Sequence, residues 1–176
     1  MNIYETIFEV IDMRSFSNLW YWIGLAVLWS TASHYVLGVP FDLAQRAKRR
    51  GGETMQDLED LVRINVGRLL NIAEVSGLLL TALSTGLITL LAVTGFVYGI
   101  EFCQAVFLMV FPMSVIALLN LRTAHRIRNE APKGDMLYSF LRRHRFYTQL
   151  VGMLSIFITG MWGMYQNLDL GPFGGI

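Results

Sequence analysis

The segment VSGLLLTALSTGLITLLAVTGFVYGI, residues 75–100, contains no Asp, Glu, Lys or Arg. A helix of about 20 apolar residues is long enough to cross the roughly 30 Å hydrocarbon core of a bilayer. Comparable charge-free windows cover residues 15–41, 102–121 and 146–168. A chain of 176 residues with 54% hydrophobic and 15% charged residues has too little polar sequence to cover four such windows in water. The windows also lack the alternation of barrel strands, so they predict an all-α integral membrane four-helix bundle.

The predicted bundle is a single transmembrane domain that comprises residues 1–176. Its spans are expected at about residues 16–37, 75–98, 102–121 and 147–168, with loops at about residues 38–74 and 122–146.

The basic residues predict the orientation of the chain. Of the 14 Lys and Arg residues, only Arg14 lies outside the two loops. Short loops that are rich in Lys and Arg remain in the cytoplasm, so both termini are expected on the non-cytoplasmic side of the membrane. Topology and anionic membrane lipids account for the basic clusters at residues 46–50 and 142–145, and no nucleic-acid partner is predicted.

Two short amphipathic surface helices are expected in addition to the spans. One covers residues 3–12, where apolar and acidic residues recur at helical spacing. The other carries an apolar stripe that consists of Leu58, Leu61, Val62, Leu69 and Ile72. The stripe is interpreted as a face that packs in the bundle or lies on the membrane surface. Alternatively, it is a docking face for a partner. Within it, Glu59 and Arg63 are spaced for an ion pair.

Small residues on the second span favour close helix packing. Gly95 and Gly99 form a GxxxG pair, which lets two helix backbones approach each other. Together with Gly86, they are the predicted packing and association residues.

Polar residues near the predicted cytoplasmic boundary form a second candidate group, the inner polar cluster: His34, Asn71, Glu74, Asn120 and Arg122. In one interpretation Glu74 and Arg122 form an interfacial ion pair, while His34 bonds a neighbouring carbonyl. In the other, the cluster contacts a ligand, a quinone head or an ion. His34 is also the candidate for haem binding, because it is the one histidine inside a span. No catalytic residue, metal site or cofactor is predicted.

Three segments carry a family resemblance: residues 11–20, residues 29–42 and residues 58–63. Through them the chain resembles a family of small uncharacterised alphaproteobacterial inner-membrane proteins, whose members are often labelled as components of the Suf iron-sulfur assembly complex. The likeness covers most of the first 125 residues. It implies a bacterial inner membrane, and it assigns no catalytic residue.

Three functional hypotheses follow. The first is a non-enzymatic inner-membrane subunit that associates with itself or with a larger membrane complex. The second is a homo-oligomeric ion channel or pore in which the hydroxyl-rich face of the second span lines a water path. The third is a haem- or quinone-contacting redox subunit that uses His34.

Overall fold

The computed structural model describes residues 15–169 and is helical apart from one small hairpin. Its five α-helices are α1 (Leu19–His34), α2 (Phe41–Arg50), α3 (Gly52–Ala92), α4 (Glu101–Glu130) and α5 (Gly134–Asp169). A 3-10 turn, Ser15–Ser17, precedes α1, and a π-helical turn, Val93–Val97, extends α3. Strands β1 (Tyr35–Val36) and β2 (Val39–Pro40) pair antiparallel between α1 and α2. The all-α prediction is confirmed, whereas the surface helix expected over residues 3–12 lies outside the described residues.

The three longest helices extend well beyond the predicted spans. At 1.5 Å per residue, the 41 residues of α3 measure about 62 Å, twice the thickness of a hydrocarbon core. Both predicted loops are largely helical, because α2, the first half of α3, the end of α4 and the start of α5 occupy them. No proline interrupts residues 52–97, and α4 continues through Pro112.

Helix α1 ends earlier than the span predicted at residues 16–37. The side chain of Asn18 caps its first turn by accepting a hydrogen bond from the backbone N–H of Trp20 at 3.0 Å. At the other end Leu37 and Gly38 have φ angles of 52° and 75°, which form the tight turn of the hairpin. Two successive left-handed residues are typical of the turns that join two short antiparallel strands.

The larger hydrophobic core lies where α2, the hairpin and the ends of α3, α4 and α5 meet, and we call it the basic-end core. Its fifteen buried residues are Val36, Leu37, Val39, Phe41, Ala44, Ala47, Leu58, Val62, Val66, Leu70, Ala124, Ile127, Leu137, Phe140 and Leu141. On α3 the buried positions recur every four residues from Leu58 to Leu70, so they form one face of the helix. Of the predicted stripe, Leu58 and Val62 are buried here and Leu61 and Leu69 pack against this core, whereas Ile72 is 51% exposed.

A smaller core joins α1 to α4 and α5. Leu25, Trp29 and Ile116 are its buried members. Gly152 of α5 makes room for the indole, because a Cβ at this position would lie 2.8 Å from Cε3 of Trp29.

Two helical segments of the described residues are long and apolar enough to cross a membrane: Gly52–Val97 and Glu101–Glu130. In their most apolar windows, 6% and 17% of the residues are buried within the chain.

Candidate functional site

The inner polar cluster is not linked by its own contacts. Within residues 15–169, no hydrogen bond or ion pair joins two of its five members. Glu74 pairs instead with Arg128, whose Nη1 lies 2.9 Å from its Oε1, so the predicted pair with Arg122 does not form. His34 is exposed and packs edge-on against Tyr35, with ring centroids 5.0 Å apart.

Arg122 and Asn71 of this cluster are exposed, and Asn120 lines a groove described below. The residues described by the structure contain no group of three or more His, Cys, Asp or Glu that could hold a metal ion.

Glu59 also has a partner other than the predicted one. Its Oε1 accepts a hydrogen bond from the backbone N–H of Gly134 at 2.8 Å, while Arg63 pairs with Asp60 at 2.9 Å. Gly134 is the first residue of α5, where backbone N–H groups lack partners within the helix. The predicted Glu59–Arg63 pair is therefore replaced by a contact between α3 and the start of α5.

The three predicted packing glycines occupy three different environments. A Cβ on Gly95 would lie 2.9 Å from the backbone nitrogen of Gln104, so the close approach at this position occurs within the chain. Gly99 has a φ of 71° in the turn that leads into α4. Gly86 has open space around its Cα. Of the three, Gly95 is used within the chain, whereas Gly86 and Gly99 have open space around them.

Gln104 joins three helices at the end of the bundle opposite the basic-end core. It is 4% exposed, and its Nε2 donates to the carbonyl of Gly95 at 2.8 Å. Its Oε1 accepts from Nε1 of Trp162 at 3.0 Å and from the side-chain amide of Gln166. The amide oxygen of Gln104 therefore accepts two hydrogen bonds, one for each lone pair, which indicates a structural role. Gln104 is not among the site residues predicted from the sequence, because its side chain is not ionisable. It is nevertheless the one long polar side chain in residues 102–118.

A groove of about 450 Å³ lies between α3 and α4, and we call it the α3–α4 groove. Small and hydroxyl residues of α3 line one wall, among them Gly77, Thr81, Ser84 and Thr85. Asn120 contributes from α4. The groove carries no ionisable side chain in its described lining, so it offers shape and hydroxyl groups rather than charge.

The middle of α3 has almost no packing partner in the chain. Every residue from 78 to 87 is exposed, and Leu78 reaches 90%. The hydroxyl of Ser84 donates to the carbonyl of Leu80, and that of Thr85 donates to the carbonyl of Thr81 at 2.8 Å. The helix itself satisfies these two hydroxyl donors, so Ser84 and Thr85 can face an apolar surrounding without an unpaired O–H group.

Comparison of the chain with protein-family models, with curated proteins and with solved structures finds no significant match.

Proposed function

We propose that the chain is a four-span subunit of the bacterial inner membrane, without catalytic activity of its own, that associates with a second copy through the α3–α4 groove. Residues 78–87 carry this proposal, because ten consecutive exposed positions of an apolar helix lie beside a groove lined by small residues.

The exposed apolar surface supports a membrane setting for all four long helices. Large exposed hydrophobic residues are found on each of them: Leu19, Trp20, Ile23 and Val27 on α1; Leu78, Leu79 and Leu83 on α3; Phe111 and Leu118 on α4; Met153, Phe157 and Ile158 on α5. Soluble monomers rarely expose contiguous apolar patches of more than a few hundred Å². A lipid surrounding removes the cost of this exposure, and the basic loops then orient both termini to the outer side.

Small residues explain why the α3–α4 groove suits another helix. In lipid, helices associate through close van der Waals contact, which Gly, Ala, Ser and Thr permit. A second copy fits the groove because α3 carries both surfaces of the contact: the small residues of the groove wall and the large apolar side chains that pack against such a wall. Gly77 and Ser84 line the groove, and Leu83 and Leu87 project as exposed side chains beside it. A two-fold axis would bring each groove against the other chain's leucines.

The experiment compares Gly77→Leu with Gly86→Leu. The two glycines are nine positions apart, about two and a half helical turns, so they lie on opposite faces of α3. A Cβ at either position would meet no atom within 4 Å in the single chain, so leucine is expected to leave the fold intact at both. After extraction in a mild detergent, native mass measurement is expected to give a dimer for the parent and for Gly86→Leu, and a monomer for Gly77→Leu. A monomeric parent, or dissociation by Gly86→Leu alone, would contradict the proposed face.

Disulfide trapping in membranes tests the identity of the partner. Cys103 is the single cysteine of the chain, so Cys103→Ser gives a cysteine-free background. Two copies of Ser84→Cys that face each other in the groove would form a bridge, because a disulfide requires Cα atoms less than about 7 Å apart. A band of twice 20.0 kDa supports the second copy. A band of any other mass would assign the groove to a different subunit.

A pore is the second candidate, because Thr81, Thr85 and Asn120 give the same groove a polar strip. If several copies surround a common axis, this strip would face water. Liposomes that contain the protein would then pass small ions, and Gly77→Leu would narrow the path and reduce the flux. Tight liposomes would exclude a pore and leave the proposal of a dimeric subunit in place.

A further inference from the structure

A second cavity, of about 620 Å³, lies between α2 and the first half of α5, and we call it the basic pocket. Three arginines of α5 line it, Arg142, Arg143 and Arg145, and none of its described lining residues is acidic. Phe41 and Phe146 add aromatic surface. The basic pocket therefore combines a concentrated positive charge with apolar walls.

The arginines of the basic pocket have no anionic partner in the described part of the chain. The ion pairs found in residues 15–169 involve Arg63, Arg126 and Arg128 only. The guanidinium carbon of Arg145 lies 4.1 Å from the ring centroid of Phe41. This contact places the guanidinium over an aromatic face, where the positive charge is attracted to the ring.

Arg145 also has a buried donor without an acceptor. Its Nε is inaccessible to solvent and forms no hydrogen bond within residues 15–169. A buried N–H group without a partner costs free energy, so the guanidinium of Arg145 is not satisfied within the described chain. An anion with several oxygens fits best, because a guanidinium binds two oxygens of one phosphate or carboxylate group at once.

The position of the basic pocket along α5 distinguishes between such anions. Phe146 and Gln149, which line the pocket, belong to the start of the charge-free window at residues 146–168. If α5 crosses the membrane as proposed above, the pocket lies at the depth of the inner-leaflet headgroups. Arginines at this depth attract anionic lipids, and aromatic walls suit the glycerol and upper acyl region.

We propose that the basic pocket binds the phosphodiester headgroup of an anionic inner-leaflet lipid, with Arg142 and Arg145 on the phosphate oxygens and Phe146 beside the acyl chains. The proposal rests on the membrane placement of α5 but not on association of the chain with a second copy.

Lipid counting by native mass spectrometry tests the proposal. The full chain is incorporated into phosphatidylcholine bilayers that contain a minor fraction of phosphatidylglycerol, then extracted gently. The wild type is expected to retain phosphatidylglycerol in preference to phosphatidylcholine. Because a hydrogen bond to a charged group is worth about one power of ten in binding, Arg142→Gln and Arg145→Gln are each expected to reduce this retention about tenfold. Arg142 is exposed, so its variant keeps the test valid if Arg145→Gln fails to fold.

Arg68→Gln is the matched control, since it removes the same charge from an exposed position of α3 outside the pocket. If Arg68→Gln loses as much phosphatidylglycerol as the pocket variants do, diffuse electrostatic attraction explains the retention and the proposal is wrong. The proposal is also wrong if the wild type retains phosphatidylcholine as well as it retains phosphatidylglycerol.

Inorganic phosphate added to delipidated protein provides the third comparison. If it raises the Tm as much as phosphatidylglycerol does, the lipid is the wrong source of the phosphate. A monomer that still selects phosphatidylglycerol would refute association and leave this inference intact.

Discussion

Replacing Gly95 by alanine tests the contact that joins α3 to α4 at the end opposite the basic-end core. The added Cβ would lie 2.9 Å from the backbone nitrogen of Gln104 and 3.2 Å from the carbonyl carbon of Cys103. Backbone atoms cannot rotate away, so the helices must separate and strain the 2.8 Å bond from Gln104 to the carbonyl of Gly95. Overpacking costs about 1–3 kcal/mol, a strained buried hydrogen bond costs about 1–2 kcal/mol, and alanine regains about 1 kcal/mol of helix propensity. The expected net loss is about 2 kcal/mol.

The assay is reversible unfolding of the detergent-solubilised chain, with Gly86→Ala as the control on the same helix. Gly86 has open space around it, so alanine there is expected to stabilise the helix by up to about 1 kcal/mol. If Gly95→Ala proves as stable as Gly86→Ala, the intrachain contact at Gly95 is not tight. If Gly95→Ala is destabilised as expected, a bulkier residue at this position would disturb the fold of the single chain before it affected association.

Three further outcomes are expected. Gly152→Ala destabilises the chain by about 1–3 kcal/mol in the same assay, since its Cβ would overlap the indole of Trp29 at 2.8 Å. Burial lowers the pKa of His144 below its usual value, so the unfolded chain takes up a proton first as the pH falls, and stability decreases from about pH 6.5 downward. In a pH series, His144→Gln is expected to remove part of this decrease. Glu74→Gln shifts the free energy of unfolding by less than about 1 kcal/mol, because its ion pair is more than half exposed.

Charge-free windows predicted the apolar parts of α1, α3, α4 and α5, and apolar spacing predicted the first part of α3, but neither predicted α2. The stripe from Leu58 to Leu69 has helical period and no proline follows it before residue 98, so a helix that begins near Gly52 continues through the second window. The break after His34 was also predictable, because Gly38 supplies the left-handed residue of a tight turn. These features depend on local sequence, because the spacing of apolar residues and the residue types of a turn are both determined within a few neighbouring positions.

Contacts between helices were harder to predict from the sequence. Glu74 pairs with Arg128 rather than with Arg122, although both arginines lie near the end of α4. The two arginines are six positions apart, and the relative rotation of α3 and α4 selects between them. Gln104 was overlooked because it is neutral, and the value of a buried amide depends on which carbonyls and donors surround it in the fold.

Helix α3 packs against the rest of the chain near both of its ends but is exposed in its middle. From Leu58 to Leu70 its apolar face is buried in the basic-end core, as in a water-soluble bundle. Near its other end, Leu91 and Gly95 are buried again, and Gly95 meets Gln104. If α3 crosses a membrane as proposed, lipid between these two attachments would solvate leucine as well as a neighbouring helix does, and hydrophobicity would give the middle of α3 no reason to pack within the chain. A second copy that binds there would gain contacts without breaking any at either end, which makes residues 78–87 the part of the helix where association requires the least rearrangement.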